Sequence, residues 1–373
     1  MITILIFLAV LALLILIHEF GHFIAARSFG IGVLEFGLGF PPRLASFRIG
    51  PTLYSLNLIP IGGFVKLLGE EDPTEPTSLA RKGAGTRLIV LCAGAFMNFI
   101  LAAIIFTVLF MLPQEQLQGL VKIQGVADGS PADLAGLQQG DIVLKLDGRS
   151  VRNTQELTYA IRMNLGDSTK WEISRPKRLV TGFITGGSEP GSFAQPTSEG
   201  TYITTYLTPR WKPPEGQGNA GVLISTIEGQ VTSISYPIWE AIPKGMVKMK
   251  EMLILFRNEI IGWIFGANRS SLAGPIGIAH ITGEVAKAGI LPLMELAALL
   301  SLNLAILNVL PIPALDGGRI LFVLIEWVRR GKRIPHEREA IVHLLGFIFL
   351  ISLTVLVSYF DIVRIIQGES LIR

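Results

Sequence analysis

One cysteine, Cys92, occurs in 373 residues. A single thiol excludes an intrachain disulfide and any zinc site built on several thiolates. It lies inside an apolar stretch and reads as a packing residue. Charge is also scarce: 16% of residues are Asp, Glu, Lys or Arg and 50% are hydrophobic, with a mean hydropathy of +0.53. A soluble domain carries about 25% charged residues, so this composition belongs to an integral membrane protein. The net charge is only +3, and the basic residues sit in loops between apolar runs rather than along one stripe. Nucleic acid is therefore not an expected partner. No basic side chain precedes Arg27 and no small-residue cleavage site is present there, so the first apolar run reads as a retained helix and not a signal peptide.

What is present is a set of long apolar runs. Crossing a bilayer takes about 20 mostly apolar residues. Residues 4–26, 88–112, 296–315 and 344–360 qualify or nearly so, giving about four transmembrane helices. Residues 252–266 carry Arg257 and Glu259 and follow three lysines, a pattern for an amphipathic helix at the interface. Basic residues concentrate between the first and second runs (Arg27, Arg43, Arg48, Lys66, Arg81, Lys82, Arg87) and between the third and fourth (Arg329, Arg330, Lys332, Arg333, Arg338). Both loops are expected in the cytoplasm. The segment 113–290 and the C-terminus are then expected outside.

The first run ends in HEFGH. An ionisable group at membrane depth costs roughly 2.5 to 3.5 kcal/mol, so residues of this kind persist there for function. His18 and His22 are four apart, which puts both imidazoles on one helix face within reach of one metal ion. Glu19 is placed to take a proton from a water beside that metal. The matching demand is zinc with three protein ligands and one open position. Candidates for the third ligand are Glu295, Asp316 and Glu326. The histidines lie toward the cytoplasmic end of the first span, and the third span runs in the same direction. Glu295 and Asp316 would be separated by roughly 30 Å in a helix, so only Asp316 matches the histidines in depth. Glu326 is expected to face solvent or Arg329 and Arg330. His280, His336 and His343 lack partners at ligand spacing and read as loop or interfacial residues. The run NVLPIPALDGGR, residues 308–319, must break the helix and expose backbone, which lipid forbids unless that backbone lines a protein cavity.

Residues 121–174 read in order as strand, helix, hairpin, helix, strand. The SPA, AGL, GD and DG elements from Ser130 to Gly148 resemble a bacterial PDZ domain. That resemblance implies a groove for an extended peptide or substrate tail, expected beside Gly119, Leu120 and Val121. Residues 176–200 read as a flexible insertion. The string GLGF at residues 37–40 spells a PDZ carboxylate-binding loop, but it falls on the other side of the membrane and is a coincidence.

Together with HEFGH and the LDGG around Asp316, the runs IPIGGFVKLLGE (59–70), GAFMN (94–98), LAGPIGIA (272–279) and NLAILNVLPIPALDGG (303–318) resemble the site-2 protease family, in its bacterial RseP-type branch. The likeness spans nearly the whole chain, with one PDZ domain where many members carry two. It implies a zinc-dependent intramembrane endopeptidase of the bacterial inner membrane that cuts single-span membrane proteins in regulated intramembrane proteolysis. The resemblance also implies zinc on His18, His22 and Asp316, Glu19 as catalytic base, and Asn308 bonded to the substrate backbone. It further implies a membrane-associated β element within residues 36–68, so Gly62 and Gly63 are expected at the substrate. Asn98, a polar residue in an apolar helix, is expected there too. The expected organisation is a first membrane half (1–112), an extracytoplasmic PDZ domain (113–228), interfacial amphipathic helices (229–290) and a second membrane half (291–373).

Overall fold

The computed structural model describes residues 2–69, 75–176, 200–266 and 273–367. In chain order the elements are α1 (Ile2–Ser28), β1 (Val33–Ile49), β2 (Thr52–Leu67), α2 (Ala84–Met111), β3 (Gln114–Val126), α3 (Pro131–Leu134), β4 (Ile142–Leu146), β5 (Arg149–Ser150) and α4 (Thr154–Met163). They continue with β6 (Thr169–Pro176), β7 (Gly200–Leu207), β8 (Val222–Ile234), α5 (Ile238–Ile264), α6 (Pro275–Ala288), α7 (Ile290–Val309), α8 (Asp316–Val328) and α9 (His336–Gln367). The chain divides into a helical unit, residues 1–109 with 271–373, and a sheet unit, residues 110–270.

In the helical unit, four helices among the described residues are long and apolar enough to cross a membrane: α1, α2, α7 and the 337–367 stretch of α9. α1, α2 and α9 are longer than their apolar runs because flanking turns extend the hydrogen-bonded ladder. The buried face of α1 is Leu14, His18, Gly21, His22, Ala25 and Ala26, mostly small or polar residues. Small residues let helix backbones approach, which is how helices pack in lipid. Gly21 shows this directly, since a Cβ there would lie 2.7 Å from the Ala93 carbonyl carbon and 2.8 Å from Met97 Cγ. β1 and β2 pair as an antiparallel hairpin with several register shifts. It is tied to α1 through the rings of Phe23, Phe36 and Tyr54, with centroids 5.4 to 6.1 Å apart.

The third apolar run is not one helix to Leu315. Helix α7 ends at Val309, and Pro311 and Pro313, which lack amide hydrogens, occupy the bend before α8 starts at Asp316. The bend folds back tightly: a Cβ on Gly317 would overlap the Leu310 carbonyl, and one on Gly318 would lie 2.8 Å from the Ile312 oxygen. Only glycine fits at both places. Glu326 does not pair with Arg329 or Arg330; it is buried, 2.6 Å from Arg87 and 3.3 Å from Arg333. One carboxylate thereby gathers two guanidiniums from distant parts of the chain.

The sheet unit has strand order β7-β6-β4-β3-β8, with β5 on β4. Its core is Val121, Ile123, Val143, Leu146, Leu157, Trp171 and Ile173 with their neighbours. Ser130 and Asn153 cap α3 and α4 by accepting from the amides of Asp133 and Glu156, as Ser and Asn do at helix starts. The expected order of strand, helix, hairpin, helix and strand is the order found. The expected boundary at residue 228 falls inside β8, because that strand stays paired with β3 as far as Ile234 opposite Gln114. The amphipathic helix is longer than its 252–266 reading. α5 starts at Ile238, and its Asn258 donates to the carbonyls of Arg162 and Met163 at the end of α4. The insertion expected at 176–200 falls, but for its two end residues, outside the described residues.

A peptide groove beside Gly119, Leu120 and Val121 is corrected by the pairing. The Gly119 amide donates to Arg152 O at 2.8 Å, Leu120 and Val121 face Ile227 and Thr226 of β8, and Val121 also faces Val143 of β4. β3 lies inside the sheet, so these residues have no open edge to offer. The strands at the ends of the order are β7 and β8.

Candidate metal centre

α1 and α8 bring together residues 298 positions apart. His18 Nε2 lies 3.0 Å from Asp316 Oδ2, His22 Nε2 lies 3.2 Å from the same oxygen, and the two Nε2 atoms are 3.2 Å from each other. A helix period of 3.6 residues accounts for the histidine pair. The break at Pro311 and Pro313 accounts for Asp316, which opens α8 and so projects from a helix start rather than from a helix side.

Two imidazole nitrogens and one carboxylate oxygen, all within 4.8 Å of one another, are a donor set that zinc accepts, leaving a fourth position open. The surroundings fit an ion as well. The Nδ1 of His22 donates to the Val90 carbonyl at 2.8 Å, so its Nε2 keeps a lone pair toward the other donors. Gly94 of α2 faces the same point. A Cβ there would come within 2.6 Å of His18 Nε2 and nearer still to His22 Nε2, so only a glycine leaves that space clear.

Glu19 stands apart from the three donors. Its carboxylate accepts from the backbone amide of Val65 in β2, and it lines an open cavity of about 670 Å³ together with His22, Gly63, Lys66, Asp316 and His343. A Cβ on Gly63 would lie 3.1 Å from Glu19 Cγ, so β2 runs close along this face of α1. Gly62, at φ +108°, faces Phe40 instead. Asn308 is half-buried in the last turn of α7.

Two residues differ from their sequence reading. Asn98 has no exposed surface and lies 3.5 Å from His18 Nδ1, behind the imidazole rather than on the cavity wall. His343 is not a loop residue. Its Nδ1 accepts from the Ala314 amide at 2.9 Å, and Ala314 holds φ +76°, a left-handed conformation that costs a non-glycine residue about 1 kcal/mol or more. α9 thus pins the turn two residues before Asp316. Gly346 adds to the fit, since its Cβ would lie 2.8 Å from Pro313 O. Neither role was readable from spacing, because both join residues from distant segments of the chain.

Comparison with known proteins is consistent with this geometry. The peptidase family M50 profile matches residues 6–353. A relative from Clostridium perfringens, itself carrying only a provisional zinc-metalloprotease name, is 34% identical over 358 residues, covering 94% of this chain and 95% of the relative. The zinc metalloprotease RasP of Bacillus licheniformis is 28% identical over 447 residues (97% and 99%), and that of Geobacillus kaustophilus 27% over 438 (95% and 96%).

Proposed function

The chain belongs to peptidase family M50, the site-2 proteases, and is a membrane zinc metalloprotease; from that premise we propose that His18, His22 and Asp316 hold the zinc and Glu19 is the catalytic base. The observation that carries this reading is the 3.0 Å approach of His18 and Asp316 across 298 positions, with Glu19 one residue from His18 and facing the cavity. Zinc held there supplies Lewis acidity, which polarises a peptide carbonyl and makes water nucleophilic near neutral pH. Glu19 takes a proton from the attacking water and returns it to the leaving amine.

The substrates are transmembrane segments of single-span proteins, such as anti-sigma factors or remnant signal peptides, cut in regulated intramembrane proteolysis. A helix buries its carbonyls in its own hydrogen bonds, so a substrate must be drawn out before it is cut. The backbone around Gly62 and Gly63 is suited to pair with such an extended strand, and Asn308 to hold its backbone; the membrane-associated hairpin β1–β2 is the support. The sheet unit acts as one PDZ-type domain on the outer side of the bacterial inner membrane, and an extended peptide adds to the open edge of β8 beside α4. The concentration of basic residues in the two loops supports an active site toward the cytoplasm.

Glu19→Gln is the test. Cleavage of a co-expressed single-span reporter should fall by about 10³-fold or more, the scale expected for losing a general base, with zinc content unchanged. Cleavage at the wild-type rate would reject Glu19 as the base.

A further inference from the structure

The two histidines are alike in sequence but not in what stands behind them. His22 Nδ1 meets a backbone carbonyl, Val90 O at 2.8 Å. A carbonyl can only accept, so that ring is fixed with its proton on Nδ1 and its Nε2 lone pair free. His18 Nδ1 meets the side-chain amide of Asn98, whose Nδ2 lies 3.5 Å away. Asn98 is fully buried, and its Oδ1 has no hydrogen-bond partner among the described residues. Its place on α2 is fixed, since the buried Ser301 of α7 donates to its backbone carbonyl at 2.8 Å. Gly94, which clears the space beside both Nε2 atoms, lies one turn earlier on the same face.

An amide presents either an acceptor or a donor to the ring. With Nδ2 toward His18, Nδ1 accepts, the ring proton sits on Nε2, and Nε2 donates to Asp316 Oδ2 at 3.0 Å. That arrangement leaves His18 no lone pair for a metal. With the amide turned by 180°, Oδ1 accepts from Nδ1, and Nε2 offers its lone pair to the point it shares with His22 and Asp316. We propose that Asn98 is a positioning residue: its amide oxygen holds His18 in the tautomer that ligates zinc, and its turn converts His18 from a hydrogen-bond donor to Asp316 into a metal ligand. This rests on the reading of His18 as a zinc ligand. It moves Asn98 from the substrate to the metal.

The experiment uses the full-length protein in detergent and measures zinc affinity by competition with a chelating indicator, with 15N-histidine NMR to read which ring nitrogen carries the proton. Asn98→Leu should weaken zinc binding by about 10- to 100-fold, the range for losing a partner behind a ligand histidine, and should remove the Nδ1–H signal of His18. Asn98→Asp, which keeps an acceptor, should restore both. A purely structural role would lower thermal stability without this rescue. If Asn98→Leu does not fold, Asn98→Ala and Asn98→Asp make the same contrast. Unchanged zinc affinity in Asn98→Leu or Asn98→Ala, with a raised KM, would overturn the inference and return Asn98 to the substrate. His18→Ala and Asp316→Asn are the controls. If they keep wild-type zinc affinity, the ligand assignment itself falls; if they lose zinc while the Asn98 variants do not, only the present inference falls.

Discussion

The two units of the chain treat their large apolar residues differently. The sheet unit hides Trp171, Leu146, Leu157, Ile123 and Ile173 at 1% exposure or less, as water dictates when it drives large apolar groups together. The helical unit leaves many of its large apolar chains exposed, Phe96 at 61% and Phe349 at 64% among them, and beside a few buried ones such as Leu14 and Phe106 it buries His18, His22, Asn98, Ser301 and Asp361 with glycines and alanines. Lipid tails are as apolar as leucine, so in a membrane apolar surface has no reason to hide, and close backbone approach with a few polar contacts holds the helices. The same property that makes a residue a core residue in one unit makes it a lipid-facing residue in the other. In the helical unit, a buried polar group therefore signals function far more strongly than a buried apolar one signals packing.

Substitutions in the two units should separate accordingly. Gly94→Ala places a methyl where the two imidazoles converge; cleavage of the reporter should drop by about 10³-fold, equivalent to roughly 4 kcal/mol, and zinc content should fall with it while the protein still purifies. Trp171→Ala should do the reverse. It removes the largest fully buried side chain of the sheet unit and should cost about 3 to 5 kcal/mol of that unit's stability, read by thermal unfolding, with zinc affinity untouched. A fall in zinc affinity would show that the contrast between the units is false.

Two smaller substitutions ask whether the rule holds within the helical unit. His343→Leu removes the acceptor for the Ala314 amide and should cost about 1 to 3 kcal/mol, with Asp316 less well held and cleavage reduced by about 10-fold. Ala314→Gly in the same background, which relieves the positive φ, should recover part of that loss. Asp361 differs from Asp316 although both are aspartates inside the helical unit. Its Oδ2 accepts from the Gly277 amide at 2.8 Å in the first turn of α6, where a carboxylate complements the helix dipole. Asp361→Ala should lower thermal stability by about 0.5 to 2 kcal/mol and leave zinc affinity and reporter cleavage at wild-type levels. A loss of zinc there would make Asp361 part of the metal centre and not a cap.

Much of this was legible beforehand. Apolar length announced four spans, the four-residue step put His18 and His22 on one face, and turn residues such as Asp147 and Gly148 gave the hairpin of the sheet unit. Depth matching picked out Asp316 because a helix has a fixed rise, so position along the chain converts into height in the membrane. That conversion gives height only. It could not say that Asn98 stands behind His18, that His343 grips the turn before Asp316, or that Glu326 takes Arg87 and Arg333 as partners, because each depends on how helices are rotated about their axes and which are neighbours. The misplaced peptide groove has a similar cause: alternation marks residues 121–126 as a strand, but an edge strand and an interior strand alternate alike.

The sequence by itself determined which stretches meet lipid, where helices start and break, and the spacing that lets two histidines share a face, since all of these are local and follow from hydropathy, proline and a 1.5 Å rise. Only the tertiary structure decided which polar groups face one another, and with that the set of side chains able to hold an ion. Those pairings join distant segments, and no local periodicity records them.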